Sequence, residues 1–327
     1  YQAFYVAIGC QQGRKAGIPG EDARGVCTAV GLLRTVAQDQ EYQIKGKTVV
    51  IGGGNVAIDV ARTSVRCGSD EVVMYCLEAR GQMPASEEEI AEACQDGVAI
   101  ECGWGLKEIL TEDGSVRGVV LKRCLAVTDE NGAFHPQYDE KDTMEISCKQ
   151  VYISIGQSIY WGNLLDGTKV ELGRGLSAKA DAITYQTAEP DIFVGGDVYT
   201  GPKFAIDAIA AGKEGAISIH RYVQPHSSLT IGRNRRDFIE LDKEDIWVEQ
   251  YDNASRQIPQ KDTSVDEKHS FADVRQPFTE EQVKKETARC LSCGASVVDE
   301  NRCIGCGICT TRCEFDAIHL HRENPEC

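Results

Sequence analysis

The amino-acid sequence predicts an α/β fold made of several units, and three observations support this prediction. A strand–turn–helix stretch, VVIGGGNVAIDVAR, occupies residues 49–62. A second apolar strand follows at 71–77, and a capped helix and a small antiparallel meander come after it. A cluster of cysteines between residues 290 and 313 indicates a separate small unit at the C-terminal end. Strands that alternate with helices are typical of a parallel sheet.

The glycine turn inside this stretch has the pattern G-x-G-x-x-A. Gly52 permits a tight turn, Gly54 lets the backbone approach a pyrophosphate, and Ala57 lets the helix pack close to the strand. The start of the helix then offers free N–H groups and the positive end of its dipole to phosphates. A lone glycine-rich turn is weak evidence, but the strand before it and the helix after it favour a dinucleotide site.

Composition limits the classes of function that fit the chain. Its 327 residues are enough for two or three domains, and a net charge of −16 argues against nucleic acid as a partner. We expect no membrane span, because no run of about 18 apolar residues occurs. The 15 cysteines come without a signal segment and partly cluster, which indicates a reducing cytoplasm and thiolate–metal ligation rather than disulfides. The chain starts at Tyr1 within an apparent strand, so we expect a fragment of a longer protein.

Two strands with a similar ending stand on either side of the glycine turn. Residues 3–9 end in AIG and residues 151–157 contain SIG, and between them lies 28–154. We interpret this segment as an inserted domain that the chain enters and leaves through two matching strands. The other predicted elements are helices at 29–38, 86–95, 203–223 and 279–290, and strands at 98–101, 107–110, 116–127, 144–147 and 192–196.

A second candidate cofactor site follows the strand at 192–196. Asp197 stands where that strand meets a helix, and an aspartate there can hydrogen-bond a polyol while the helix start faces a phosphate or ring oxygen. Such an aspartate is often only a helix cap. Because it comes after a dinucleotide segment bracketed by similar strands, we expect a cofactor contact.

The most specific metal signature is the cysteine run near the C-terminus. Its spacing is C-x2-C-x2-C-x3-C, typical of 4Fe–4S clusters, and glycines between the cysteines let backbone amides approach the sulfides. Glu314 stands where a proline usually follows the fourth cysteine. The four predicted ligands are Cys303, Cys306, Cys309 and Cys313.

A second cluster stays open at this stage. Cys290 and Cys293 lie just upstream, and in two-cluster ferredoxins the fourth cysteine of such a run ligates the other cluster. Cys290, Cys293 and Cys313 could therefore hold a second cluster, with Cys327 as a further candidate. The alternative metal is zinc in a docking module, although zinc usually takes two separated cysteine pairs.

Four stretches together resemble one family. They are AFYVAIGCQQGRKAGIPGEDARGV, VVIGGGNVAIDVARTSVRCGSDEV with the following QMPAS, VYISIGQ, and DIFVGGDVYTGPKFAIDAIAAGKEGAISI. On these stretches the chain resembles the small (beta) subunit of glutamate synthase and its relatives in the pyridine nucleotide–disulfide oxidoreductase superfamily. The resemblance covers most of residues 1–223. It implies a Rossmann-like NAD(P)H domain inserted in a partial FAD-binding domain, followed by a small ferredoxin-like iron–sulfur domain.

This resemblance divides the chain into five parts. They are a strand and linker of the FAD domain at 1–27, the NAD(P)H domain at 28–154, the C-terminal half of the FAD domain at 155–225, a linker at 226–278 and the 4Fe–4S domain at 279–327.

The resemblance also implies the cofactor contacts. For the nicotinamide dinucleotide they are Gly52, Gly53, Gly54, Asn55, Val56 and Ala57, and for FAD they are Gly196, Asp197, Lys203, Phe204 and Ala205, with Gly156 as a further cofactor contact. We nominate no side chain as a catalytic acid or base, because the cofactors carry the chemistry.

One departure from the family bears on the choice of dinucleotide. The family usually has two arginines after the tyrosine of the second nucleotide strand, where they hold the 2′-phosphate of NADP. Here Tyr75 is followed by Cys-Leu and then Glu78. A carboxylate at this place accepts hydrogen bonds from a ribose 2′-OH and repels a 2′-phosphate, so we expect NADH. Arg80 is the residue that could serve NADPH instead.

The expected function is an NAD(P)H-dependent flavin and iron–sulfur oxidoreductase subunit of the cytoplasm. Hydride would pass from the nicotinamide to FAD, and single electrons would pass through the cluster to a partner protein. The position of the cysteines after the FAD segment suggests a hydrogenase, a formate dehydrogenase or a ferredoxin as partner, besides a glutamate synthase large subunit. The family's first glycine-rich FAD fingerprint is absent from this sequence. The FAD site is therefore expected to be incomplete, and a non-catalytic dinucleotide-binding fragment is the alternative.

Overall fold

The computed structural model describes residues 1–39, 41–233, 255–290, 303–313 and 318–320. This part of the chain forms two compact units. The first contains the described residues up to 233 together with Thr263–Val274, and the second contains the remaining ones. No helix in the described ranges is both long enough and apolar enough to cross a membrane.

The described residues of the first unit form twelve strands and five α-helices. The strands are β1 (Phe4–Val6), β2 (Gln12–Gly13), β3 (Val26–Thr28), β4 (Lys47–Ile51), β5 (Glu71–Cys76), β6 (Ala99–Cys102), β7 (Trp104–Glu112), β8 (Ser115–Thr128), β9 (Phe134–Ser147), β10 (Gln150–Ile153), β11 (Gln157–Ser158) and β12 (Ile192–Val194). The helices are α1 (Ala29–Gln38), α2 (Asn55–Arg66), α3 (Glu87–Gln95), α4 (Asp197–Thr200) and α5 (Ala205–Tyr222).

A five-stranded parallel sheet forms the centre of this unit, in the order β3-β10-β4-β5-β6. In its middle strand, Val49 pairs with Val73 of β5 on one side and with Val151 of β10 on the other. Val49 and Val50 are fully buried, because both faces of the sheet are covered. This explains why the strand is an unbroken apolar run rather than an alternating one.

Two layers cover the sheet on its opposite faces. Helices α1, α2 and α3 form one layer, and their core with the sheet includes Leu32, Ile58 and Met74. The antiparallel sheet β7-β8-β9 forms the other, and its core includes Val119 and Leu121. The expected α/β unit with a small meander is therefore present.

Strand β9 is much longer than the sequence predicts. The prediction was 144–147, whereas the strand runs from Phe134 to Ser147 and pairs with β8 along most of its length. The sequence FHPQYDEKDTMEIS is mostly polar and exposed, so an apolar pattern marks only its buried end. The strand continues through exposed residues because their backbone hydrogen-bonds to β8.

The two strands with similar endings, at 3–9 and 151–157, belong to different sheets. Strand β1 pairs with β12, whereas β10 lies in the five-stranded sheet between β3 and β4. Both segments are apolar strands that run into a glycine, and this shared pattern reflects a local strand end rather than a common sheet. Two pairs of strands join the segments before and after the proposed insertion: β1 with β12, which are parallel, and β2 with β11, which are antiparallel.

The second unit contains helices α6 (Glu280–Ala288) and α7 (Ile308–Arg312) among its described residues. Helix α6 confirms the predicted capped helix. The Thr279 hydroxyl accepts a hydrogen bond from the Gln282 amide N–H, and the Gln282 side chain accepts one from the Thr279 N–H. This reciprocal pair satisfies two of the free donors at the helix start.

An ion cluster fixes α2 against α3. The Arg62 guanidinium lies 2.5 Å from the Glu92 carboxylate and 2.6 Å from that of Asp96. The Asp96 side chain is only 7% exposed and that of Arg62 12% exposed. Because α2 starts at the glycine turn, this contact also holds the turn in place.

We expect Arg62→Ala to lower the free energy of unfolding by about 3 kcal/mol, because it leaves the buried Asp96 carboxylate without its main partner. Urea unfolding measures this. The matched control is Lys15→Ala, which removes an ion pair whose side chains are 65% and 86% exposed and should leave the free energy of unfolding nearly unchanged. Equal losses in the two variants would contradict the structural role of the cluster.

Candidate functional site

Three consecutive glycines form the turn between β4 and α2, and their surroundings differ. Gly52 has a φ of 144°, and a Cβ there would collide with the carbonyl oxygen of Ser154. A Cβ on Gly53 would lie 2.7 Å from Glu78 Oε2. A Cβ on Gly54 would meet no atom within 4 Å, and its φ of −92° suits any residue. The chain's own packing thus requires a glycine at position 52 and leaves little room at position 53, where a Cβ would displace the Glu78 carboxylate, whereas Gly54 faces open space.

This open space fits the backbone of a dinucleotide pyrophosphate. Gly54 is the N-cap of α2 and makes no side-chain cap, so the first N–H groups of the helix face the same space. Anions are stabilised at such a helix start by hydrogen bonds and by the dipole. Ala57 is fully buried, which agrees with close packing of the helix on the strand. Val56 is partly buried and packs against the core below it.

The turn is held from the side by the segment before α3. The Asn55 side-chain oxygen accepts a hydrogen bond of 2.9 Å from the Ser86 N–H. The Gly53 carbonyl accepts one of 3.1 Å from the Ala85 N–H. Ser86 in turn caps α3, because its hydroxyl accepts from the Glu89 N–H. The Asn55 side chain therefore positions the turn.

A cavity of about 630 Å³ lies at the carboxyl ends of the parallel strands, a usual place for ligands in α/β sheets. The glycine turn is at its middle, after β4. Glu78 lines it on the side of β5, and Ser154 and Gly156 line it on the side of β10. The sequence predicted Glu78, the glycines and Gly156, and the structure brings them together. It also adds residues that were not predicted, among them Arg14, Lys15, Leu77, Trp104, Phe134 and Tyr138.

Arg80 does not line this cavity with Glu78. Its Nη2 lies 3.5 Å from Cys94 Sγ, and the residue lines a separate cavity of about 330 Å³ beside Gln82 and Leu125. To contact a 2′-phosphate near Glu78, the Arg80 side chain would have to change its conformation. The carboxylate of Glu78, by contrast, already lies beside Gly53.

The predicted FAD contacts lie around α4 and the start of α5. Gly196 is the N-cap of α4, and Asp197 Oδ1 accepts a hydrogen bond of 3.2 Å from the Lys203 N–H. Helix α5 starts at Ala205, and Phe204 before it is 75% exposed. Ile206 in its first turn is 68% exposed. A helix start with exposed apolar side chains fits an element that a flat, partly apolar cofactor would cover.

The structure describes the cysteine run from residue 303 to residue 313. The first three thiols of the run are exposed. Gly307 adopts a left-handed conformation at the N-cap of α7, which lets the chain turn between cysteines. Over the described ranges, no three cysteine, histidine or carboxylate side chains are gathered closely enough to hold a metal ion. Four thiols at this spacing nevertheless have the donor chemistry of a 4Fe–4S site, and metal binding itself commonly orders such segments. Cys290 is exposed, whereas the predicted ligand Cys293 lies outside the described residues.

Most of the scattered cysteines are buried, as the sequence suggests. Burial raises the pKa of the Cys148 thiol to about 11 and also raises the pKa of Cys67. Thiols with raised pKa values stay protonated near neutral pH and are poor nucleophiles. Cys94 is an exception, since it is exposed.

Two protein families match the chain. The family described as pyridine nucleotide-disulphide oxidoreductase matches residues 1–212, and the 4Fe-4S binding domain matches residues 296–319. These matches confirm the resemblance drawn from the sequence. They also confirm the cofactor prediction, with NAD(P)H and FAD for the first domain and a 4Fe–4S cluster for the second.

The curated relatives are longer than this chain. The chain is 29% identical over 303 residues to the NADP(+)-dependent formate dehydrogenase subunit beta of Moorella thermoacetica, covering 90% of this chain and 42% of that protein. It is 28% identical over 244 residues to the glutamate synthase [NADPH] small chain of Escherichia coli (strain K12), covering 68% of this chain and 51% of the relative. The chain thus spans about half the length of these relatives, or less.

Solved structures support the fold. FprA of Mycobacterium tuberculosis in complex with NADPH matches with a TM-score of 0.54 at 19% identity, covering 68% of this chain and 64% of that one. Thioredoxin reductase of T. acidophilum matches with a TM-score of 0.51 at 18% identity, covering 67% and 64%. The predicted α/β fold of the Rossmann-like type is confirmed.

We expect Gly54→Thr to weaken NADH binding at least about tenfold without destabilising the fold. Threonine and glycine are similar as N-caps, so the free energy of unfolding should change by about 0.5 kcal/mol or less. The new side chain would instead fill the open space above the turn. Calorimetry measures binding, and urea unfolding measures stability.

The matched control is Gly81→Thr. Gly81 also has open space around its Cβ position and an ordinary φ, but it lies outside the lining of the cavity. Its substitution should leave NADH binding unchanged. Unchanged binding in the Gly54 variant as well would contradict a pyrophosphate contact at this turn.

Proposed function

Because the chain belongs to the pyridine nucleotide-disulphide oxidoreductase family, we propose that it is part of an NAD(P)H-dependent flavin and iron–sulfur oxidoreductase that delivers electrons to a partner protein. The observation that carries the proposal is the open space at Gly54, in a cavity at the carboxyl ends of the parallel strands. No packing requirement inside the chain accounts for a glycine at this position. A dinucleotide pyrophosphate accounts for it.

We propose NADH rather than NADPH as the electron donor. Glu78 Oε2 lies beside the glycine turn, where a carboxylate accepts hydrogen bonds from the two ribose hydroxyls and repels a 2′-phosphate. The guanidinium of Arg80 is directed to Cys94 and lines a different cavity. The charged group against Gly53 is therefore a carboxylate, which favours the dinucleotide without the phosphate, whereas Arg14 lies beside Gly156 on the other side of β4.

The proposed FAD contacts are the residues around the starts of α4 and α5, namely Gly196, Asp197, Lys203, Phe204 and Ala205. Bound flavin would supply the chemistry that accepts the two electrons of one hydride together and gives them up one at a time. Asp197 already orders the loop before α5 through its bond to the Lys203 N–H. The role of the chain's residues is thus to bind and orient, and none of them needs to transfer a proton.

We propose that Cys303, Cys306, Cys309 and Cys313 bind one 4Fe–4S cluster as the outlet for single electrons. Cys290 and Cys293 are the candidate ligands of a second cluster. A relative that matches 90% of this chain is named a formate dehydrogenase subunit. A catalytic subunit of the formate dehydrogenase or hydrogenase kind, or a ferredoxin, is therefore favoured as partner over a glutamate synthase large subunit.

A reducing compartment, the cytoplasm, is the proposed location. Cys76 and Cys102 lie opposite each other on β5 and β6 with their sulfur atoms 3.6 Å apart and unbonded. Thiols at this separation persist where the surroundings keep them reduced.

An anaerobic titration with NADH tests the proposed function. The full-length protein supplied with FAD, iron and sulfide should show a flavin band and a broad band near roughly 400 nm, and NADH should bleach both. The matched variants are Cys306→Ser, which should lose the iron but keep NADH-driven flavin bleaching, and Cys94→Ser, which should lose neither. Bleaching by dithionite but not by NADH would leave only a dinucleotide-binding fragment. Zinc without sulfide would instead indicate a docking module.

We expect Glu78→Gln to increase the affinity for NADPH about tenfold and to weaken that for NADH, because it removes a charge that repels the 2′-phosphate. Dissociation constants for both dinucleotides measure this. The control is Glu101→Gln, an exposed carboxylate on the neighbouring strand β6 that does not line the main cavity. An unchanged ratio of the two constants in the Glu78 variant would contradict the proposed selectivity.

A further inference from the structure

The outer end of the β8–β9 hairpin has no structural role in the core, yet it reaches the main cavity. The inner part of β8 is buried, with Val119 and Leu121 fully covered. At the outer end Leu125 is 66% exposed and Phe134 is 70% exposed. Burial of apolar surface therefore does not explain why both strands run for 14 residues. The outer end supplies Phe134, Pro136 and Tyr138 to the cavity that contains the glycine turn.

Phe134, Pro136 and Tyr138 all line this cavity, although β9 is not a regular strand between them. The pairing of β8 with β9 shifts register between Cys124 and Ala126 and again between Ala126 and Thr128. Irregularities of this kind bend a hairpin and change the direction of its side chains. The outer end of the hairpin is thus shaped differently from the part that packs on the sheet.

Tyr138 is held firmly in this position. A Cβ on Gly105 of β7 would lie 2.5 Å from Tyr138 Cε1. The φ of Gly105 is not in the left-handed region, so its backbone conformation does not require glycine. On the neighbouring strand, Lys122 Nζ lies 4.1 Å from the centre of the tyrosine ring. Glycine weakens a strand interior, so its presence at 105 is explained by the space that the ring requires.

The sheet order shows which end of a bound dinucleotide would meet these rings. Glu78 follows β5, and Trp104 comes just after β6, the next strand outward. Ser154 and Gly156 follow β10, on the opposite side of β4. Trp104 therefore lies on the side of Glu78, the proposed contact of the adenosine ribose. Tyr138 lies on the same side, since a Cβ on Gly105 would meet both Tyr138 and Leu77, and Phe134 lines the same cavity. Trp104 is backed by Arg123, whose guanidinium carbon lies 3.8 Å from the ring centre.

We propose that Phe134 and Tyr138 of the hairpin form the platform on which the purine base of the dinucleotide stacks. This inference rests on the proposed function, since it assigns the base of the same ligand. Every purine has a flat π-face, and aromatic side chains bind such faces without reading their edges. The hairpin would thus set affinity for the adenosine half and leave the nicotinamide half to the other end of the cavity.

Binding of the two halves of the dinucleotide tests this proposal by calorimetry. ADP-ribose contains the base, and nicotinamide mononucleotide does not. We expect Phe134→Ser and Tyr138→Leu each to raise the dissociation constant of ADP-ribose roughly tenfold and to leave that of the mononucleotide unchanged. Tyr138→Phe, which keeps the ring, should bind ADP-ribose like the wild type. Phe134 is exposed, so its substitution keeps the test valid even where Tyr138→Leu disturbs folding.

The matched control is Leu125→Ser, an exposed apolar residue at the same end of the hairpin that does not line the main cavity. It should change neither constant. Unchanged ADP-ribose binding in the Phe134 and Tyr138 variants, or a loss confined to the mononucleotide, would overturn the proposal. A wild-type chain that binds no ADP-ribose would instead overturn the proposed dinucleotide site, and this inference with it.

Discussion

The close fit of the glycine turn between its neighbours is the constraint on which the rest of the site depends. At Gly52 the turn touches the Ser154 carbonyl after β10, and at Gly53 it touches Glu78 after β5. A side chain at Gly52 would collide with the backbone of Ser154, and one at Gly53 would displace the Glu78 carboxylate. With both glycines in place, the ends of three strands meet around the start of α2. Of the three glycines in the turn, only Gly54 then faces open space. The cavity and its polarity follow from this arrangement.

The layers around the sheet hold that arrangement rigid. The ion cluster of Arg62 with α3 and the hydrogen bond from Ser86 to Asn55 act on the same helix from two directions. On the opposite face, the antiparallel meander covers the sheet and extends beyond it to the cavity. The meander therefore does two things: its buried part completes the core, and its exposed part adds an aromatic wall. Binding of a flexible dinucleotide is most favourable on a surface that is ordered before the ligand arrives.

Sequence patterns were sufficient to predict features that neighbouring residues determine by themselves. The glycine turn, the helix caps at Ser86 and Thr279, and the apolar central strand each have a local cause, and each lies where it was predicted. The capping box of α6 is a case in which two side chains satisfy two named donors, so neighbouring residues suffice to predict it. Glu78 could be placed because it directly follows a strand that the sequence makes plain.

What could not be predicted depends on contacts between distant segments. The partner of β1 is a strand 188 residues further along, since Phe4 pairs with Ile192, and nothing local distinguishes it from β10. Phe134 and Tyr138 occur in a polar stretch whose alternation was visible as F-x-P-x-Y, but only pairing with β8 shows which surface they face. The signal that could have found them is Gly105, a glycine inside a strand with no turn to explain it.

A crystal structure of the chain with NADH bound tests the central claim most directly. The account predicts the pyrophosphate over Gly54 at the start of α2, with the adenosine ribose at Glu78 and the nicotinamide towards Ser154. A dinucleotide bound elsewhere, or bound in the reverse direction with its nicotinamide at Glu78, would contradict it.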